Sequence, residues 1–145
     1  MDLEKSLHSW ISKLSSIEYG PACPFAMKAW LNREVKLITE QEIEGLIPFP
    51  PDLSVCVVPK IDILYPDLVD LCDQYNTKFP EYIFLDSHPD ETLTLRGKKT
   101  VWEYPAMLIQ RRDELLEARG TLSKMGFYKN WDKDLLDSLG IQDSP

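Results

Sequence analysis

A strand–helix–strand pattern in residues 53–86 constrains the fold of this chain more than any other feature. Residues 53–58 are mostly apolar and β-branched, which is typical of a strand that is buried on both faces. Pro59 ends this run, and a helical pattern follows in residues 63–77. A second apolar run begins at Tyr82. Because two strands joined by a helix run parallel in one sheet, the sequence predicts a βαβ unit.

Apolar residues at helix or strand spacing predict further elements on both sides of this unit. The spacings of three and four in residues 2–17 are those of an amphipathic helix. A longer helix is predicted from Pro105 to Arg119, with Gly120 ending it, since proline favours the first turn and glycine the end of a helix. The remaining predicted elements are a half-exposed strand (35–39), one or two helical turns (40–46), a short edge hairpin (91–100) and a last short helix near 135–139.

These elements predict one α+β domain that spans residues 1–145, with a frayed tail after about residue 140. The expected architecture is a sheet of three or four strands that contains the βαβ unit, with helices packed on it. A ferredoxin-like sandwich is one arrangement that fits this order. A chain of 145 residues is long enough to bury a core of its own.

The charge of the chain limits the classes of partner. A net charge of −8 and an isoelectric point near 4.7 argue against nucleic acid and against an anionic membrane surface. The sequence has no apolar run of the length of a membrane span, and its start lacks the features of a signal peptide. The three cysteines cannot all pair and show no zinc-type spacing. We therefore expect an acidic, soluble, cytoplasmic protein in a reducing compartment.

The clearest candidate site is the polar tip of the second strand, where Ser87, His88 and Asp90 follow the apolar run. Polar residues at the end of a buried strand lie where ligands bind in many α/β proteins. Cys23 precedes Pro24, which favours the first turn of a helix, so the dipole of that helix would favour a thiolate. Cys23 and His88 would then act as nucleophile and base, with Asp90 or Asp86 as the orienting carboxylate.

Other interpretations of this tip stay open. Ser87 and Asp90 are typical turn residues that bond backbone amides, and Pro89 fixes the bend. The cysteine, histidine and aspartate could instead bind a transition metal, with Glu91 completing the shell. For Cys23 the alternative is a buried thiol in a tight turn.

Arg112 is the candidate anion ligand. Its guanidinium can hold a carboxylate or phosphate through two parallel hydrogen bonds, provided that its helix packs near His88. The alternative is that Arg112 pairs with Asp86 or Asp90 and braces the loop.

Short motifs follow one another in a fixed order along the chain. They are Cys23-Pro24-Phe25-Ala26, Tyr75-Asn76, Ser87-His88-Pro89-Asp90, and Pro105 with Met107-Leu108 and Arg112-Asp113. This order resembles a bacterial family of small proteins known only as a domain of unknown function, over roughly residues 20–115. The resemblance implies a fold and a candidate site that includes Asn76 beside Ser87 and Arg112 as ligand-binding residues, and it implies no reaction.

Two functions are consistent with the sequence. The first is a small enzyme that uses Cys23, His88 and Asp90 on a small anionic ligand held by Arg112. The second is a non-catalytic accessory or protein-interaction module. Aromatic residues near the C-terminal end favour the second, because aromatic side chains anchor many interfaces. These residues are Trp102, Tyr104, Phe127, Tyr128 and Trp131.

Overall fold

A mixed four-stranded sheet lies at the centre of the computed structural model, which describes residues 2–14, 26–92, 94, 99–129 and 131–141. The strands follow the order β1-β2-β4-β3 across the sheet. They are β1 (Val35–Leu37), β2 (Val55–Pro59), β3 (Tyr82–Ser87) and β4 (Ala106–Arg111). The chain is a single α+β domain, as the sequence predicts.

Helices lie on both sides of the sheet and beyond one end of it. A 3₁₀ turn, Glu40–Glu42, precedes α3, so the one or two helical turns predicted for residues 40–46 are confirmed. The α-helices are α1 (Leu3–Leu14), α2 (Ala26–Leu31), α3 (Ile43–Leu46), α4 (Tyr65–Lys78), α5 (Arg112–Lys124) and α6 (Lys133–Ser138). Within the described residues, none of them is long and apolar enough to cross a bilayer.

The predicted βαβ unit is β2, α4 and β3. Because β2 and β3 each pair antiparallel with β4, the two strands run parallel to each other, as predicted. They are not neighbours, since β4 lies between them, and the unit is a split βαβ. The position of β2 inside the sheet explains why its residues are apolar on both faces.

The helix predicted from Pro105 to Arg119 is wrong in its first half. Residues 106–111 form β4, and α5 begins only at Arg112. Residues 106–109 are apolar on both faces because they fill the centre of the sheet, and such a run has neither a clear helical nor a clear strand period. The helix also does not end at Gly120 but continues to Lys124.

The predicted edge hairpin of residues 91–100 is not formed by the residues described there, since 91, 92, 94, 99 and 100 are irregular. The predicted strand at 35–39 is confirmed for Val35–Leu37, which form β1, and the last short helix is confirmed as α6. The first predicted helix is confirmed as α1 up to Leu14, and residues 15–17 lie outside the described part of the chain.

The two faces of the sheet bury alternate residues of each strand. One face packs under α3 and α4 and includes Cys56, Phe84 and Met107. The other face packs under α1 and includes Val57 and Ala106. Burial of these apolar surfaces is the main favourable term in the free energy of folding.

Of the aromatic residues named near the C-terminal end, Phe127, Tyr128 and Trp131 form a separate cluster, whereas Trp102 and Tyr104 pack in the core under α1. Tyr128 is buried in it with Leu122 of α5 and Ile141 after α6. Phe127 and Trp131 pack against Tyr128 at ring-centroid distances of 5.2 and 5.0 Å. These aromatic side chains therefore contact one another, which joins α5 to α6.

Candidate functional site

His88 lies directly after β3, and both of its ring nitrogens contact backbone groups. Nδ1 accepts the Asp90 N–H at 3.0 Å, so the ring proton is on Nε2, which donates to the Ile63 carbonyl at 2.9 Å. The ring stacks on Tyr65 with centroids 5.3 Å apart, and only 5% of His88 is exposed. The imidazole thereby ties the tip of β3 to the start of α4.

The other two residues of the predicted tip lie beside His88 but differ in exposure. Ser87 is 3% exposed, and its hydroxyl oxygen accepts the Trp102 N–H at 3.1 Å. The side chain of Asp90 is 74% exposed, with Oδ2 3.9 Å from His88 Nδ1. Because this nitrogen already accepts the Asp90 amide, the histidine and the carboxylate do not form a hydrogen-bonded pair here. Ser87 thus bonds a backbone amide, as the turn interpretation expects, whereas among the described residues the Asp90 carboxylate accepts no backbone N–H.

Asn76 is on α4 and contacts the middle of β3. Its Oδ1 accepts the Phe84 N–H at 2.8 Å, and its Nδ2 donates to the Phe84 carbonyl at 3.0 Å. Both groups of Phe84 lie on the outer edge of β3, away from β4. Asn76 therefore forms the hydrogen bonds that the N–H and C=O groups of Phe84 would otherwise offer to a strand of another chain.

Arg112, at the start of α5, binds the other end of the same strand. Its side chain donates to the carbonyls of Pro80 at 2.8 Å and of Tyr82 at 3.2 Å. The Tyr82 N–H in turn donates to the Phe79 carbonyl at 3.0 Å. Together with Asn76, these contacts occupy the outer edge of β3 from Tyr82 to Phe84.

The structure does not bring Arg112 to the tip of β3. Tyr82 pairs with Arg111 and Ser87 pairs with Ala106, so Arg112 and His88 lie at opposite ends of the strand. At about 3.3 Å per residue, the length of β3 separates them by more than about 15 Å. The expectation that the helix of Arg112 begins near His88 is therefore wrong, and the alternative pairing with Asp86 or Asp90 is also not observed.

Cys23 lies outside the described residues, so its position relative to His88 stays a prediction. The two cysteines that are described, Cys56 and Cys72, are buried free thiols. Burial raises the pKa of each thiol to about 12. Within the described part of the chain, no three histidine, cysteine, aspartate or glutamate side chains lie close enough to hold a metal ion.

Acidic side chains surround the tip on the α4 side. Burial raises the pKa of the Asp86 carboxyl above its ordinary range, and the nearby Glu91 and Asp73 raise it further. The hydroxyl of Tyr65 donates to a Glu91 oxygen, which raises the pKa of that tyrosine. This side of the tip therefore disfavours an anionic ligand.

A cleft on the opposite side of the tip was not predicted from the sequence. It has a volume of about 640 Å³ and lies between α1 and residues 99–103, with Pro89 at its border. Lys5 and Lys13 of α1 line one wall, and Lys99 lines the other. We call it the lysine cleft. The spacing of four from Lys5 through Ser9 to Lys13 is visible in the sequence, but the opposite wall comes from a tertiary contact.

A second cavity, of about 580 Å³, lies between α1, α5 and the face of the sheet that α1 covers. Its lining is mainly apolar and includes Ile11, Val35, Val55 and Leu115. We call it the apolar groove. Two carboxylates, those of Glu34 and Glu114, also line it.

The apolar groove borders β1, which is the other edge of the sheet. The Ile38 N–H donates to the Val57 carbonyl, and the Glu34 carbonyl accepts the Val55 N–H. The backbone N–H and C=O groups of residues 34, 36 and 38 therefore point towards β2. Val35 and Leu37 consequently direct their N–H and C=O groups outward. In the part of the chain that the structure describes, nothing bonds to these groups, and β1 is an open edge.

Comparison with family models, with curated proteins and with solved structures gives no match for this chain. The resemblance seen in the order of short motifs therefore stays a prediction, and functional conclusions have to come from the geometry of the molecule itself.

Proposed function

We propose that this chain is a non-catalytic protein-interaction module that binds an extended segment of a partner protein along β1. The observation that carries the proposal is the difference between the two edges of the sheet. Asn76 and Arg112 occupy the outer backbone groups of β3, whereas Val35 and Leu37 present theirs on β1. An open edge offers main-chain hydrogen bonds to an added strand, which is a recurrent mode of peptide recognition.

The apolar groove supplies the side-chain part of this recognition. Val35 and Val55 lie on the face of the sheet that lines the groove, so a strand added beside β1 directs every second side chain towards it. Apolar side chains of the partner would fill the space between α1 and α5. Main-chain bonds then give affinity, and the groove gives specificity.

Charge complementarity favours basic residues at the remaining positions of the partner. Glu34 and Glu114 line the groove, and the whole chain carries a net charge of −8. Among the described residues of the groove, Arg111 is the only arginine, and it donates to the carbonyls of Leu53 and Pro50. It also pairs with Glu114 at 3.3 Å, so Glu34 is the carboxylate of the groove that a basic partner residue would meet first. We therefore expect a partner segment in which apolar residues alternate with lysine or arginine.

The geometry at His88 supports this function over the catalytic one. A general base needs a free nitrogen within reach of the proton that it removes. Both nitrogens of His88 are used by backbone groups, and its ring is almost fully buried. A catalytic role would require the loop after β3 to give up these bonds.

Selection from a displayed library of random short peptides tests the proposal. Affinities of the selected peptides are measured for the wild type and for two variants, Leu37→Pro and Leu37→Ala. Both variants lose the leucine side chain, but only proline removes the outward N–H. We expect sequences that alternate apolar and basic residues, and binding at least about tenfold weaker to Leu37→Pro than to Leu37→Ala.

Equal binding to the two variants, or a selection without any binder, would overturn the proposal. If Leu37→Pro does not fold, hydrogen exchange on the wild type replaces it. The peptide should then slow exchange of the Leu37 amide, and unchanged exchange counts against strand addition. A peptide-free dimer that dissociates in Leu37→Ala would instead make a second copy the occupant of this edge and would also overturn the proposed partner.

A further inference from the structure

We propose that the lysine cleft is a binding site for a small organic anion that carries a flat apolar group, such as an aryl carboxylate or an aryl phosphate. The site lies on the α1 side of the sheet tip and is distinct from the β1 edge. Its support comes from the charges of its walls, from the bonds that its carboxylates already make, and from one tryptophan ring.

The positive charges of the cleft converge from two elements. Lys5 and Lys13 are eight positions apart on α1, which places them about 12 Å from each other along one face of the helix. Lys99 stands on the opposite wall, where its ammonium donates to the Pro89 carbonyl at 2.8 Å. An anion inside the cleft would therefore meet ammonium groups from both sides.

The carboxylates of the cleft, Asp2 and Glu103, are already bonded to protein donors. Asp2 accepts the backbone N–H of Lys5 at 3.0 Å at the start of α1, and Glu103 accepts the hydroxyl of Ser6. Among the described residues, no carboxylate lies within ion-pair distance of the ammonium groups of Lys5 or Lys99. In a chain with a net charge of −8, such ammonium groups make the cleft locally attractive to anions.

The apolar part of the ligand is inferred from Trp10. Its indole N–H donates to the Thr100 carbonyl at 2.9 Å, and its ring stacks on the buried Trp102 with centroids 6.1 Å apart. The indole N–H of Trp102 is likewise bonded, to Ser6 at 3.0 Å. Because these polar atoms are satisfied, the half-buried Trp10 ring offers the cleft an apolar surface, on which a flat group can stack.

Calorimetric titration of the full chain with phenyl phosphate and with benzoate tests this site. Inorganic phosphate and benzyl alcohol serve as probes that lack the aryl group and the charge, respectively. We expect saturable binding of at least one aryl anion, at least about tenfold weaker binding of inorganic phosphate, and no binding of benzyl alcohol. Which of the two aryl anions binds more tightly distinguishes a phosphate ligand from a carboxylate ligand.

The variants Lys5→Gln and Lys99→Gln should each weaken binding by about tenfold, whereas Lys133→Gln, on the exposed start of α6, should leave it unchanged. Leu37→Ala, at the β1 edge, should also leave it unchanged, which separates this inference from the proposed function. Lack of saturable binding for both aryl anions would overturn the inference. Binding that survives both lysine substitutions, or equal binding of inorganic phosphate, would do so as well.

Discussion

The side-chain amide of Asn76 forms two hydrogen bonds with the backbone of Phe84, one from each of its polar atoms. A residue of α4 thus takes the place that a neighbouring strand would occupy beside β3. The distances of 2.8 and 3.0 Å are those of ordinary strand–strand hydrogen bonds.

Substitution of this residue should affect both stability and association. We expect Asn76→Ala to lower the free energy of unfolding by about 1–3 kcal/mol, because Phe84 loses both partners at a half-buried site. The exposed edge of β3 should also promote self-association at high concentration. Urea unfolding and analytical ultracentrifugation measure the two effects. Gln74→Ala, on an exposed position of the same helix, is the matched control and should change neither.

His88 should behave as a structural residue. His88→Ala removes the acceptor of the Asp90 amide, the donor to Ile63 and the stacking on Tyr65, so we expect a loss of about 2–4 kcal/mol in the free energy of unfolding. His8, an exposed histidine that stacks on Trp30, provides the comparison, and its substitution by alanine should cost less than about 1 kcal/mol. A His88→Ala protein as stable as the wild type would contradict this role.

The stability of the chain should respond to the ionisation of Asp86. Burial raises the pKa of this carboxyl in the folded state above its ordinary value of 3.8. Between the unfolded and the folded pKa the native state binds more protons, so this group makes stability fall as pH rises through that window. The Asp86→Asn variant should therefore be more stable than the wild type at pH 7. This difference in the free energy of unfolding should vanish when the pH is below the ordinary pKa of the carboxyl, 3.8. Urea unfolding across this pH range measures it, with the exposed Asp90→Asn as control. A constant difference at all pH values would show that ionisation is not its cause.

Alkylation in the native state can measure the reactivity of Cys23 separately from that of the other two cysteines. Because Cys56 and Cys72 are buried and burial raises their pKa to about 12, we expect neither to react with iodoacetamide in the native state at neutral pH. Both should react after unfolding, and mass spectrometry identifies each modified position. Any rapid native labelling then reports on Cys23 alone. A Cys23 rate above that of free cysteine that slows in His88→Ala would favour the catalytic function over the one proposed here.

The strands could be predicted from the sequence where breaking residues bound a β-rich apolar run, and not where a buried strand consists of residues that favour helices. Residues 53–58 and 82–86 were recognisable as strands because proline and polar residues bound them. Residues 106–111 were not, since alanine, methionine, leucine and glutamine favour helices, and their position between two strands overrides that preference.

The candidate site was predicted only in part, for a related reason. The sequence identifies Ser87, His88 and Asp90 as neighbours at a strand tip, and they are. It does not reveal that the histidine reaches Ile63, which lies 25 positions away, or that Asn76 and Arg112 bind the same strand. A polar residue that is conspicuous in a sequence can have a structural role or a catalytic one. The atoms that its side chain contacts in the structure distinguish these two roles.

The unequal edges of the sheet also have a consequence for the stoichiometry of the proposed complex. A strand added to β1 extends the sheet on one side, while Asn76 and Arg112 block the same addition beside β3. Each molecule would then bind one peptide, which gives a one-to-one complex. Growth into a fibre requires two open edges per molecule, and the described residues offer one.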